Sequence, residues 1–132
     1  INLNVPAYIE NDYLPQAELR LEMYKRLAEC KTLDELEILK DEIVDRFGPF
    51  STTFQNLIEL TKLKIISMPL MIKRIIGTNK RIECTFDSES PILADNKTNN
   101  VLVFNPQEDN SILFLQNTFL TIISNLKLDE AS

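Results

Sequence analysis

Residues 32–47, TLDELEILKDEIVDRF, hold the side chains with the most chemistry to offer. Asp34, Glu37, Asp41 and Asp45 follow a spacing of i, i+3, i+7 and i+11, with Glu35 and Glu42 beside them. On a helix that spacing collects the carboxylates on one face. Six acids meet only Lys40 and Arg46, so the segment carries −4 of the chain's net −6. Adjacent acids such as Asp41 and Glu42 could in principle act as an acid–base pair, as in glycoside hydrolysis. That use needs burial to move a pKa, and the polar face of an exposed helix does not supply it. Two readings remain. The face is simply solvated, or it docks a basic partner, with charge complementarity setting specificity and encounter rate.

A second group is basic. Lys73, Arg74, Lys80 and Arg81 place four cations within nine residues around a turn. Such a group could contact the phosphates of a nucleic acid. The alternative is an edge hairpin kept soluble by Lys and Arg. No aromatic residues interleave to stack on bases, as single-strand binders use.

The rest of the composition narrows the choice. The chain has no His, the commonest general base and metal ligand. Two glycines cannot build a Gly-rich phosphate cradle. Cys30 and Cys84 lie far apart without a metal-ligand pattern and read as reduced, half-buried thiols. We therefore expect no catalytic residue, cofactor or metal in these residues. A net charge of −6 disfavours nonspecific nucleic-acid binding. No apolar run reaches the ~20 residues of a membrane span; the stretch Ile65–Ile76 is broken by Ser67, Pro69, Lys73 and Arg74. No signal peptide is read at the start. The chain opens on Ile1 rather than Met and reads as a piece of a longer protein.

The elements that must position these groups follow from periodicity. Leu3 and Val5 between asparagines predict a short strand, and residues 1–14 an extended crossing. Leu19, Met23 and Leu27 predict a first helix from Pro15 to about Cys30. Thr32-Leu33-Asp34-Glu35 is a capping box that opens a second helix. Leu33, Leu36, Ile43 and Phe47 mark its buried face, and Gly48-Pro49 its left-handed stop. Ser51–Thr53 cap a third helix, which ends before Pro69. Short connections predict antiparallel neighbours. MIKRIIGTNKRIECTF predicts a hairpin, with Ile82, Cys84 and Phe86 inward. Residues 87–100 predict a loop, Val101–Phe104 and Ile112–Leu115 two strands, and Thr118–Leu126 a last helix. The fold class is α+β. It is a single domain over 1–132, with 15–68 helical, 69–116 β-rich and 117–128 a terminal helix.

These residues also resemble a family. VPAYIENDYLP, RLEMYKRLA at 20–28, KTLDELE at 31–37 and DEIVDRFGP at 41–49 resemble, in order and spacing, the start of the C-terminal domain of the bacterial transcription-repair coupling factor (Mfd) family. Asn11 and Gln16 stand where Asp is usual, and Ser51 where a second proline is frequent. The resemblance implies a cytoplasmic parent that binds stalled RNA polymerase, pushes it with an ATP- and Mg-dependent DNA translocase motor, and recruits the UvrA repair protein. The motor and DNA contacts would lie in other domains. This C-terminal regulatory domain would fold onto a UvrB-like module of the same chain and mask the surface that UvrA needs. Arginines on that surface would meet Glu42 first, then Asp45 and Asp41, with Glu37 nearby.

Overall fold

The computed structural model describes residues 1–87, 89–91, 100–106 and 110–131, with side chains through residue 125. The chain forms two compact units: Val5–Ile65, and Ile1–Asn4 together with Ile66–Ser132. The class is α+β, as expected.

The first unit is built from helices α1 (Ala17–Glu29), α2 (Leu33–Phe47) and most of α3 (Thr52–Ser67). Each begins or ends where local chemistry dictates. The Glu35 amide donates to the Thr32 hydroxyl at 3.1 Å. The Glu35 carboxylate reaches back to the Lys31 N–H at 2.9 Å, one residue beyond the N-cap. Gly48 ends α2 at φ +93° with an extended ψ of −178°, rather than the compact left-handed stop. The Phe54 amide donates to the Ser51 hydroxyl at the start of α3.

Leu36, Leu39 and Ile43 of α2 are buried with Met23 and Leu27 of α1 and Phe54 and Ile58 of α3. The segment before α1 is laced over this core by polar contacts. The Tyr8 amide donates to the Thr53 carbonyl, the Ile9 amide to the Tyr24 hydroxyl, and the Thr53 hydroxyl to Glu10. Tyr13 packs edge-on against Phe54 and donates its hydroxyl to the Gly48 carbonyl at 2.6 Å. That bond pins the end of α2.

The second unit holds a three-stranded antiparallel sheet in the order β1 (Ile72–Gly77), β2 (Ile82–Phe86), β3 (Val101–Phe104), followed by α4 (Ser111–Ala131). Ile82, Cys84 and Phe86 all face inward as the alternation requires. Two sequence expectations fail here. Ile112–Leu115 is not a strand but the first turn of α4. Asn110 caps that helix by accepting from the Leu113 amide, and Ile112, Leu115 and Phe119 are buried at helical spacing. Residues 1–5 form no strand either. Asn2 makes only an isolated parallel bridge to Ile76, and Asn4 turns the chain at φ +55°. The loop expected over 87–100 falls largely outside the described residues.

Candidate functional site: the acidic ridge of α2

The helical period sorts the acids of α2 into two sets. Asp34, Asp41 and Asp45 lie opposite the buried track Leu36, Leu39, Ile43, and all three are exposed. None of them makes an ion pair or side-chain hydrogen bond among the described residues. Glu37, on one flank, pairs with Lys40 at 3.2 Å.

Glu42 lies on the other flank, toward α1, and is occupied. Both of its oxygens accept from the Arg26 guanidinium, Oε1 from Nη2 at 3.0 Å and Oε2 from Nη1. Arg46, one turn on, adds a contact at 3.6 Å. The hydrogen bond from Arg26, with help from the charges of Arg26 and Arg46, holds the Glu42 carboxyl below its ordinary pKa; the same hydrogen bond, with the charges of Glu42 and Glu22, holds the Arg26 guanidinium above its own. The favoured docking residue of the sequence reading is thus already bridged within the domain. Its neighbours Asp41 and Asp45 are the ones left free.

Sequence reasoning missed two residues here. Arg26 sits 16 positions from Glu42, so only the packing of α1 on α2 reveals the pair. Ile38 is the most exposed large apolar side chain of the unit, at 69%. Its signal was present: it stands off the Leu36, Leu39, Ile43 track.

The basic group does not form one tip. Gly77 pairs with Ile82 and Arg74 with Thr85, so Arg74 and Lys73 lie near the far end of the hairpin, about 10 Å from the turn at ~3.3 Å per residue. Lys80 and Arg81 occupy the turn. Arg81 pairs with Glu83 at 2.7 Å and Lys73 approaches Asp87 at 3.9 Å. Cys30 and Cys84 are free thiols but buried rather than half-buried, Cys84 completely and Cys30 with a small exposed edge. Burial raises the Cys30 pKa and pushes that of Cys84 up to about 12, so neither is a ready nucleophile. Among the described residues, no group of three or more His, Cys, Asp or Glu could hold a metal ion. No described helix is long and apolar enough to cross a membrane.

What the fold and this surface define is an α+β module whose most developed feature is a helix offering unpaired carboxylates. The family model of the TRCF domain matches residues 3–97, and the chain belongs to that family. Transcription-repair-coupling factors of Haemophilus influenzae and Escherichia coli are 41% identical over 75 residues and 34% identical over 80. Those matches cover 57% and 61% of this chain but only 6% and 7% of the relatives' own length. The crystal structure of the C-terminal domain of transcription-repair coupling factor matches the fold with a TM-score of 0.82 at 21% identity. That match covers 99% of this chain and 93% of that one.

Proposed function

We propose that this chain is a non-catalytic, autoinhibitory interaction domain of a transcription-repair coupling factor. The parent would be a cytoplasmic, ATP-driven DNA translocase that engages stalled RNA polymerase and recruits UvrA. ATP, Mg and the DNA contacts belong to its other domains. This domain covers the UvrA-binding surface of a UvrB-like module in the same chain. The observation that carries the reading is the ridge of Asp34, Asp41 and Asp45, exposed and unpaired while the neighbouring Glu42 and Glu37 are satisfied internally. Arginines match carboxylates in a bidentate geometry. Exposed pairs worth roughly 0.2–1 kcal/mol each make a latch that a competing partner can open.

The test is Asp41→Arg with Asp45→Arg in the full-length parent. Each reversal exchanges an attraction for a repulsion, so UvrA capture by the unstimulated protein rises by about threefold or more. Unchanged capture by a folded variant removes the latch. Glu42→Arg is the wrong probe, because it sets a cation against Arg26 and Arg46 and disturbs the α1–α2 packing first.

A nucleic-acid contact through Lys73, Arg74, Lys80 and Arg81 has weaker support. The four are divided between the two ends of the hairpin, and two of them face carboxylates. Absence of duplex binding at low salt would dispose of it.

A further inference from the structure

The outer face of α1 has a pattern of its own. Met23 and Leu27 of this helix are buried in the helical core. Ala17, Leu21, Tyr24 and Ala28 lie off that track, spaced by four, three and four residues, and all four are exposed. Such spacing is that of the a and d positions in a helix-pairing seam. Leu21, near the middle, is 58% exposed. A lone surface leucine needs no explanation. This one is aligned with an aromatic ring and bracketed by two alanines, which makes a continuous strip about 16 Å long at ~1.5 Å per residue. The ring is already held in place, because the Tyr24 hydroxyl accepts from the Ile9 amide at 2.8 Å. Docking against it therefore costs little ordering.

Two charges flank the strip on one side. Glu18 follows Ala17 and Lys25 follows Tyr24, so both occupy the same position beside the seam. Neither makes an ion pair among the described residues. Two turns apart on one helix, they are not neighbours of each other. Their order decides what fits the strip. A second α1 laid parallel sets Glu18 against Glu18 and Lys25 against Lys25. Laid antiparallel about a two-fold axis, it sets Leu21 against Tyr24, Ala17 against Ala28 and Glu18 against Lys25, each twice. The alanines at both ends let the two backbones approach, and leucine on ring fills the centre.

We infer that α1 is a self-association surface. Two copies of this chain pair antiparallel through Ala17, Leu21, Tyr24 and Ala28, with two Glu18–Lys25 ion pairs setting the register. The contact is isologous and closes on itself, so it gives a dimer and not a filament. A seam of about three turns belongs with the weak interfaces that bury less than ~1,200 Å², so the dimer forms where copies are concentrated. It uses a different helix from Asp34, Asp41 and Asp45, and it stands or falls apart from the latch.

The experiment is sedimentation velocity of the full-length parent over a series of concentrations at low salt. The unaltered protein should pass from monomer to dimer as concentration rises. Glu18→Lys alone and Lys25→Glu alone each turn two attractions into two repulsions and should weaken the dimer by about fourfold or more. Both changes in one chain should restore it, and so should mixing the two single variants. Leu21→Glu should abolish the dimer and leave the melting temperature near that of the parent, the side chain being exposed. Carbodiimide coupling of a mixture of isotope-labelled and unlabelled protein should join Glu18 of one chain to Lys25 of the other. A parent that stays monomeric throughout overturns the inference. So does a dimer indifferent to Leu21→Glu or to the single reversals, or one that the double reversal does not recover. Coupling of Lys25 to a distant segment of its own chain overturns it too, since the strip is then covered within the parent.

Discussion

Gly48→Ala tests how the acidic helix is held at its end. At φ +93° and ψ −178° Gly48 occupies a region essentially reserved for glycine, where another residue costs about 1–3 kcal/mol. A Cβ there would meet nothing within 4 Å, so the cost is conformational and not a clash. Alanine also restricts the unfolded chain, which returns about 0.4–1 kcal/mol. The net loss is about 0–2.6 kcal/mol, centred near 1.3 kcal/mol. For 132 residues at ~2.1 cal/mol/K each, unfolding entropy is about 0.28 kcal/mol/K, so Tm falls by up to roughly 9 °C and by about 5 °C at the middle of the range. The chain has one escape, which is to move the backbone. That sacrifices the Gly48 amide bond to the Val44 carbonyl at 2.9 Å and the Tyr13 bond at 2.6 Å, each worth about 0.5–1.5 kcal/mol. The two routes are separable. If the backbone stays put, Tyr13→Phe and Gly48→Ala add. If it moves, the double variant loses less than the sum, since both remove the same bond. Thermal melts by circular dichroism of the four proteins decide. A Gly48→Ala melt above that of the parent sinks this account of the α2 terminus.

Three shorter predictions follow from the same geometry. A Cβ on Gly77 would stand 2.2 Å from the Arg81 carbonyl oxygen and 2.6 Å from the Ile82 Cα, so Gly77→Ala forces the β1–β2 turn open; amide exchange across Ile75–Cys84 should accelerate at least tenfold, and unchanged exchange counts against the tight approach. The Glu42 carboxyl is held below its ordinary value of about 4.5, so its share of stability is present above that value and is lost as pH falls through the lower folded one; the melting gap between parent and Glu42→Gln should therefore be open at pH 7 and closed in strong acid, and an equal gap at both means the Arg26 pair does not form. Burial raises the Cys84 pKa from 9.0 to about 12, so the neutral thiol's contribution is intact below pH 9 and declines between 9 and 12; Cys84→Ala should flatten the alkaline limb of the stability curve, and an identical limb would show the thiol to be hydrated.

The parts of this fold that were legible in the sequence are those with local causes. Thr32 and Glu35 specify the start of α2 within one turn, and Gly48-Pro49 specify its end. The alternation of Ile82, Cys84 and Phe86 specifies which face of β2 is inward. What escaped was set at longer range or had no period. Ile112–Leu115 is a four-residue apolar run, too short to separate strand from helix. Its helical identity comes from the Asn110 cap and from burial continuing to Phe119. The cations of the hairpin are close in sequence, and the strand register sends them to opposite ends. The acids were recognisable as a group, but their division into free and occupied members depends on Arg26, which lies on another helix.

That division bears on why a helix should finish in acids at all. Carboxylates near the negative end of a helix dipole are disfavoured by roughly 0.3–1 kcal/mol each when exposed. In α2 the cost is met for Glu42 by two arginines, one on α1 and one in its own last turn. Nothing among the described residues meets it for Asp45 in the last turn, and Asp41, one turn further in, is unpaired as well. A surface under no demand would have no physical reason to keep two adjacent turns in that state, because Asn at either position would relieve the dipole without touching the core. An external guanidinium resolves the conflict at both positions. It would neutralise the carboxylate and its interaction with the helix end together, so closing the proposed latch would recover an energy the open domain forgoes. The same argument sets a limit. Asp41→Asn with Asp45→Asn should stabilise the isolated fold slightly while weakening the closed state of the parent. If both move in the same direction, the acids serve the domain itself and not a partner.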